Sequence, residues 1–175
     1  MKLTLDSLNA RIRDHLSLDW LTPSEQAIWD QIHLFEGPPH RIINIYGVPG
    51  SGKTFLGWLM QREGYATYGL WSSRPSPVHA RLTLDNSPTS QAAARDLRPL
   101  VDELGVRQII LLSRRRVDEP AMPAFELQVT PDDLEHLRGN LYRHLDYILP
   151  DVQDCRSYHE AIAAFLKKSV PDGRE

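Results

Sequence analysis

The 175-residue sequence has little cysteine and no long apolar run. Its single cysteine, Cys155, excludes both an internal disulfide and a cysteine-rich metal site, which fits a reducing compartment. No segment reaches the roughly 20 apolar residues that a membrane-spanning helix needs. The first 16 residues are charged where a signal peptide requires an apolar core. We therefore expect a cytoplasmic protein with no membrane partner.

An excess of positive charge is also missing. The formal net charge is -3, and Arg114, Arg115 and Arg116 form the sharpest basic cluster. Nucleic-acid-binding domains carry a basic patch or stripe, often with interleaved aromatic side chains, and this sequence has no such stripe. The composition therefore gives no direct nucleic-acid signature. The length predicts one ordinary domain with a buried core.

From residue 41 onward, short apolar runs alternate with helix-like segments. The predicted strands are 41–46, 65–71, 80–85, 107–113 and 124–129. The predicted helices are 52–62, 90–104, one that opens at Thr130 and one that opens at Ser157. Strands that alternate with helices favour a parallel sheet covered on both faces. The predicted fold class is therefore α/β, a three-layer sandwich.

Two helices are predicted before the first strand. The second begins with a capping box formed by Thr22 and Glu25, and Gly37-Pro38-Pro39 ends it. We divide the chain into an N-terminal helical arm (1–37), a core (38–170) and a tail (171–175). The apolar face of the arm is expected to contact a protein partner or a second copy, with Trp20 as an interface anchor.

The run GVPGSGKT matches the phosphate-binding pattern G-x-x-x-x-G-K-[ST] in full. Its glycines let backbone N–H groups approach phosphate oxygens, and the following helix adds its positive N-terminal end. Lys53 can reach the β- and γ-phosphates, and the Thr54 hydroxyl can bind Mg²⁺. The predicted cofactors are ATP and Mg²⁺. The predicted nucleotide-binding residues are Gly47, Val48, Pro49, Gly50, Ser51, Gly52, Lys53, Thr54 and Phe55.

Asp85 ends a predicted strand, at the edge of a parallel sheet where ligands bind. We predict that it holds Mg²⁺ together with Thr54; the alternative is a cap for the turn that follows. Asn86 stands next, where many ATPases carry a second acid. An amide can orient water but cannot accept its proton, so weak intrinsic hydrolysis is expected. Other carboxylates that can substitute are Asp96, Asp118 and Glu119.

Arg114 follows the predicted strand 107–113 directly. An arginine at this edge can meet the γ-phosphate and stabilise transferring charge. The alternative is a solvated loop. The predicted catalytic residues are therefore Lys53, Asp85 and Arg114.

Five segments, in order, carry a family resemblance: SEQAIWDQI, INIYGVPGSGKT, RLTLDN, IILLSR and FELQVTPDDLEHL. They resemble the nucleotide-binding core of the STAND and AAA+ ATPases, in the additional-strand division of P-loop proteins. The resemblance covers about residues 22–145, and only the P-loop is specific. It implies that Asp85 assists Mg²⁺ and that Arg114 senses the γ-phosphate. Residues 72–79 are too few for the helix usually found there. A minimal ATPase or nucleotide-dependent switch subunit is implied, acting through protein partners.

Two other functions remain open. The segment LDNSPTSQAAARDLRPLVDEL resembles nucleoside monophosphate kinases, with SRRR as an arginine-rich lid. Against a kinase, about 40 residues precede the P-loop strand, and Thr89 stands where such kinases have arginine. The third possibility is an interaction module in which bound nucleotide fixes a surface.

Overall fold

The computed structural model describes residues 3–35, 41–90, 97–117, 119 and 122–168. The elements below belong to these residues. The helices are α1 (Leu5–Asp14), a 3₁₀ turn (Leu18–Trp20), α2 (Pro23–Leu34), α3 (Lys53–Arg62), α4 (Leu97–Glu103), α5 (Pro131–Leu145) and α6 (Tyr158–Lys168). The strands are β1 (Ile42–Tyr46), β2 (Thr67–Leu70), β3 (Arg81–Asp85), β4 (Gln108–Ser113) and β5 (Ala124–Glu126).

The five strands form one sheet in the order β2-β3-β4-β1-β5, and every pairing is parallel. Strand β4, with the sequence QIILLS, is buried along its whole length, as expected for a strand covered on both faces. It lies between β1, which leads into the P-loop, and β3, which ends in Asp85. The predicted α/β fold with a parallel sheet is therefore confirmed.

Alternate side chains of the central strands enter two apolar clusters, one on each face of the sheet. Ile43 and Ile45 belong to the larger cluster, together with residues of α1, α2, α3, α5 and α6. Leu82 and Leu84 belong to the smaller cluster, which α4 covers. The molecule therefore has three layers, and most of its helices lie on the P-loop helix side.

Several predicted boundaries differ from the observed ones. Strand β5 ends at Glu126 instead of residue 129, although the Leu127 amide still donates to the Tyr46 carbonyl at 2.8 Å. Residues 91–96 of the predicted helix 90–104, and the tail 171–175, lie outside the described residues. No helix forms between β2 and β3, in agreement with the shortness of that segment. None of the described helices is long and apolar enough to cross a membrane.

The arm packs into the larger core cluster. Leu8 and Ile32 are fully buried there. Trp20 is only 2% exposed; its ring stacks on His144 at 4.8 Å, and its Nε1 donates to the His15 carbonyl. The expectation that Trp20 is an interface anchor is therefore wrong, because this large ring fills space between the arm and α5. The proposed boundary near residue 37 lies outside the described residues and stays a prediction.

Candidate functional site

The P-loop connects the carboxyl end of β1 to the first turn of α3. Gly50 and Gly52 have φ angles of +80° and +93°, a conformation that favours glycine. A side chain on Gly47 would collide with the Leu127 carbonyl, and one on Gly52 would collide with the Glu25 carboxyl group. The glycines are therefore required both by the backbone conformation and by close neighbours.

The Lys53 ammonium group lies inside the loop. Its Nζ donates to the carbonyls of Gly47 (2.7 Å) and Val48 (2.9 Å) and to Ser51 Oγ (3.1 Å). Burial lowers the pKa of Lys53, the charge of Asp85 raises it, and the charge of Arg114 lowers it further, so that the net direction is downward. The cation therefore lies within the loop, and the charges of the other two predicted catalytic residues, Asp85 and Arg114, both act on it.

Thr54 and Asp85, the predicted metal ligands, are in direct contact. Thr54 Oγ1 donates to Asp85 Oδ2 at 2.7 Å, and the Tyr68 hydroxyl donates to the same oxygen at 2.8 Å. The backbone amide of Asn86 donates to Asp85 Oδ1 at 2.7 Å, so the turn-capping contact considered for Asp85 is also present. Tyr68 was not identified from the sequence, because its strand carries no motif.

This arrangement fits Mg²⁺, which prefers hard oxygen ligands and usually keeps few protein ligands besides substrate phosphates. One carboxylate and one hydroxyl are available from Asp85 and Thr54. Among the described residues, no cluster of three or more His, Cys, Asp or Glu side chains can hold a metal without help. The donor set therefore suits a cation that arrives with a phosphate ligand.

Lys53 lines two pockets of the described structure. The first, here called the arginine-side pocket, has a volume of about 440 Å³. Its lining includes Lys53, Asp85, Asn86, Arg114 and Arg115. The three predicted catalytic residues thus border one cavity. Of the carboxylates considered as substitute bases, Glu119 does not line this cavity, and Asp96 and Asp118 lie outside the described residues.

The second pocket, here called the arm-side pocket, has a volume of about 360 Å³. The P-loop contributes Gly50 to Phe55 to its wall. The remaining wall comes from three other parts of the chain: the arm (Leu5, Asn9, Ile12, Trp20, Thr22, Glu25), helix α5 (Leu137) and helix α6 (Tyr158, His159, Ile162), with Trp58 of α3 beside them. Sequence reasoning missed these residues, because the arm and α6 come near the P-loop only in the folded chain.

A buried polar network joins the arm to α6 and the P-loop. Glu25 Oε2 accepts from the Thr22 amide (3.1 Å) and hydroxyl (3.0 Å), and the Thr22 hydroxyl lies 2.6 Å from the Tyr158 hydroxyl. The Tyr158 amide donates to the Gly50 carbonyl at 3.1 Å. Burial raises the pKa of Glu25 to about 8, against the lowering effect of the Thr22 hydrogen bonds. The capping box was predicted, but its contact with the P-loop was not.

The parallel sheet, its strand order and the position of the P-loop between β1 and α3 make up an α/β fold of the P-loop NTPase type. Two solved structures share this fold. One is the replication initiator DnaA bound to AMPPCP and single-stranded DNA, with a TM-score of 0.56, 14% identity, and coverage of 85% of this chain and 60% of that chain. The other is AMPPCP-bound DnaA from Aquifex aeolicus, with a TM-score of 0.55, 15% identity, and coverage of 86% and 61%.

At these identities the similarity concerns the fold. The chain spans about three fifths of the length of each DnaA structure. No protein-family model matches the sequence, and no curated protein is significantly similar to it.

Proposed function

We propose that this protein binds ATP with Mg²⁺ at the P-loop, hydrolyses it slowly, and acts as a nucleotide-dependent subunit through a protein partner or a second copy. The observation that carries the proposal is the contact of Thr54 with Asp85 at 2.7 Å beside the Lys53 ammonium group. This is the set of groups that a magnesium-bound triphosphate requires. The AMPPCP in both similar DnaA structures supports an adenine nucleotide.

Each group has a role in this proposal. Lys53 neutralises the β- and γ-phosphates, and Arg114, which also lines the arginine-side pocket, contacts the γ-phosphate. Thr54 and Asp85 hold Mg²⁺, which neutralises charge that develops on the phosphate oxygens when it is bound. The arm-side pocket receives the base and ribose, because its wall includes the aromatic rings of Trp20 and Phe55.

Slow hydrolysis follows from Asn86. Its side chain lines the arginine-side pocket next to Asp85, but an amide cannot accept a proton from an attacking water. Its backbone adopts a φ angle of +56°, a conformation that asparagine and aspartate tolerate better than most residues. The backbone conformation of residue 86 therefore favours asparagine or aspartate, and the asparagine present cannot act as a general base for an attacking water.

A switch role is supported by the connection between the P-loop and α6. The Gly50 carbonyl accepts a hydrogen bond from the Tyr158 amide, and the Tyr158 hydroxyl in turn contacts Thr22 of the arm. A change in P-loop conformation on binding nucleotide therefore alters contacts of both the arm and α6. A partner that binds either element would respond to the nucleotide.

The second candidate function is phosphoryl transfer to a small acceptor. It is favoured by the arginine-side pocket, since a cavity of about 440 Å³ beside Lys53, with Arg114 and Arg115 in its wall, can hold a small anion. The fate of the γ-phosphate distinguishes the two functions. Release as inorganic phosphate supports the ATPase, whereas loss of ATP only when a nucleoside or nucleotide acceptor is added supports the kinase.

The binding proposal is tested by thermal melts of the wild type and Lys53→Ala, with and without Mg-ATP. Ligand at ~100 times its dissociation constant should stabilise the wild type by about 2.7 kcal/mol. Lys53→Ala should show no shift, because the phosphates lose their buried cation. Lys167→Ala, which removes an exposed lysine of α6, serves as the control and should behave as the wild type. An equal Mg-ATP-induced shift in melting temperature in all three proteins would show that the nucleotide does not bind at the P-loop.

A further inference from the structure

We propose that Tyr68 is a positioning residue of the metal site. Its hydroxyl group fixes the orientation of the Asp85 carboxylate and thereby sets the affinity of the nucleotide complex for Mg²⁺. This inference rests on the proposed function, and it adds a residue to which neither the P-loop pattern nor the strand that ends in Asp85 points.

The position of Tyr68 follows from strand register. Leu70 of β2 pairs with Asp85 of β3, and Tyr68 pairs with Thr83. Because side chains two residues apart share a face, Tyr68 lies on the face of the sheet that carries Asp85. Its long side chain then spans the distance to the end of the neighbouring strand, where its hydroxyl lies 2.8 Å from Asp85 Oδ2.

The structure provides a path for this side chain. A Cβ atom on Gly57 would lie 2.5 and 2.6 Å from two carbons of the Tyr68 ring, so the ring lies directly on the backbone of α3. Glycine is unfavourable inside a helix compared with alanine. The glycine in the second turn of α3 is explained by the ring of Tyr68, which needs that space to reach Asp85.

The hydrogen bonds that Asp85 accepts orient the Thr54 hydroxyl for binding a cation. Oδ2 accepts from both Thr54 and Tyr68, while Oδ1 accepts from the amide of Asn86. With its proton directed at Oδ2, the Thr54 hydroxyl presents its lone pairs to a cation. Without Tyr68, the carboxylate keeps one donor on Oδ2 and can turn away from Thr54. Partners of this kind commonly change metal affinity by 10–100-fold.

The test compares Tyr68→Phe with Tyr142→Phe, which removes the hydroxyl of an exposed tyrosine in α5. ATP binding is measured by calorimetry over a Mg²⁺ titration and again in EDTA. We expect Tyr68→Phe to need roughly 10–100-fold more Mg²⁺ for half-maximal binding, with unchanged ATP affinity in EDTA. Tyr142→Phe should match the wild type. Displacement of bound Mn²⁺ by Mg²⁺, followed by electron paramagnetic resonance, gives a second reading without turnover.

Three outcomes are decisive. An unchanged Mg²⁺ requirement in Tyr68→Phe overturns the inference, and so does an equal loss of affinity with Mg²⁺ and in EDTA, which indicates a structural role. Absence of nucleotide binding by the wild type overturns the proposed function instead. Gly57→Ala supplies an independent variant, because its Cβ displaces the ring. It should reproduce the Mg²⁺ shift, and adding it to Tyr68→Phe should produce little further change.

Discussion

The arm-side pocket and the arginine-side pocket share Lys53 but differ in what their walls offer to a ligand. The arm-side wall is rich in apolar and aromatic side chains, and three of its buried polar residues, Glu25, Thr22 and Tyr158, are joined by hydrogen bonds through Thr22. The arginine-side wall carries Arg114 and Arg115 together with Asp85 and Asn86. The arm-side pocket therefore suits a planar ring of the ligand, and the arginine-side pocket suits a charged group.

The difference also concerns the origin of each wall. The arginine-side pocket is built from loops that follow β3 and β4, two adjacent strands of the sheet. The arm-side pocket requires the arm and α6 to close over the P-loop. Changes on the arginine side should therefore alter chemistry with little effect on folding, whereas changes on the arm side should alter stability and binding together.

The largest effect is expected from Asn86→Asp, which places a carboxylate beside Asp85 in the arginine-side pocket. A positioned general base typically raises a rate by 10²–10⁴-fold, and we expect hydrolysis to rise within that range. Aspartate keeps the left-handed backbone of this position (φ +56°), whereas Asn86→Glu should show the same trend with a lower melting temperature. Release of inorganic phosphate measures the rate.

Thr89→Asp is the control, since it adds the same charge to the same pocket without adjoining Asp85. It should leave hydrolysis low. Rapid hydrolysis by the wild type, or an equal gain in Thr89→Asp, would contradict the role given to Asn86. Should the protein be a kinase, the Asn86 variants would gain little, because water is then the wrong nucleophile.

A smaller effect is expected from truncation of one core residue on each face of the sheet. Ile12 of the arm is 6% exposed and Leu100 of α4 is 8% exposed. Each change to alanine should lower the free energy of unfolding by about 2–5 kcal/mol. Only Ile12→Ala should also weaken ATP binding, because Ile12 lines the arm-side pocket and Leu100 does not.

Urea denaturation measures the stability of these two variants, and calorimetry at a temperature where both are folded measures their ATP affinity. If both variants bind ATP as the wild type does, the arm is not part of the nucleotide site. The arm would then be available for the partner interaction expected from the sequence. Weaker binding by both variants to the same extent would show that the loss reflects stability alone.

The smallest effect is the pH dependence that comes from Glu25, whose pKa is about 8 in the folded protein and 4.5 in its ordinary state. Between these values the folded state keeps a proton that the unfolded state has lost. Stability from this group is therefore complete below pH 4.5 and falls as the pH rises towards 8, by about 1.4 kcal/mol per pH unit.

Glu25→Gln removes this titration. The difference in unfolding free energy between Glu25→Gln and the wild type should therefore move in favour of the variant by about 2 kcal/mol from pH 5.5 to 7. Glu135→Gln, which changes an exposed carboxylate of α5, should show no such trend. A pH-independent difference for Glu25→Gln would mean that Glu25 is already ionised in the folded protein.

The sequence by itself determined the features that depend on neighbours along the chain. The P-loop could be predicted from the sequence because its glycines, Lys53 and Thr54 lie in one continuous segment. The capping box of Thr22 and Glu25 could also be predicted, because its two residues are only three positions apart. The parallel α/β sheet followed from alternating apolar runs, since each strand type has its own local pattern.

The tertiary structure alone decided which distant residues meet. Tyr68 reaches Asp85 because β2 pairs with β3 in one register, and Tyr158 reaches Thr22 across 136 positions of sequence. Trp20 was misjudged for the same reason, since burial depends on α3 and α5 packing around it. A local sequence pattern reflects interactions between residues that are close along the chain. The contacts of Tyr68, Tyr158 and Trp20 join residues that are far apart along the chain, so they form only when the whole chain packs and excludes water.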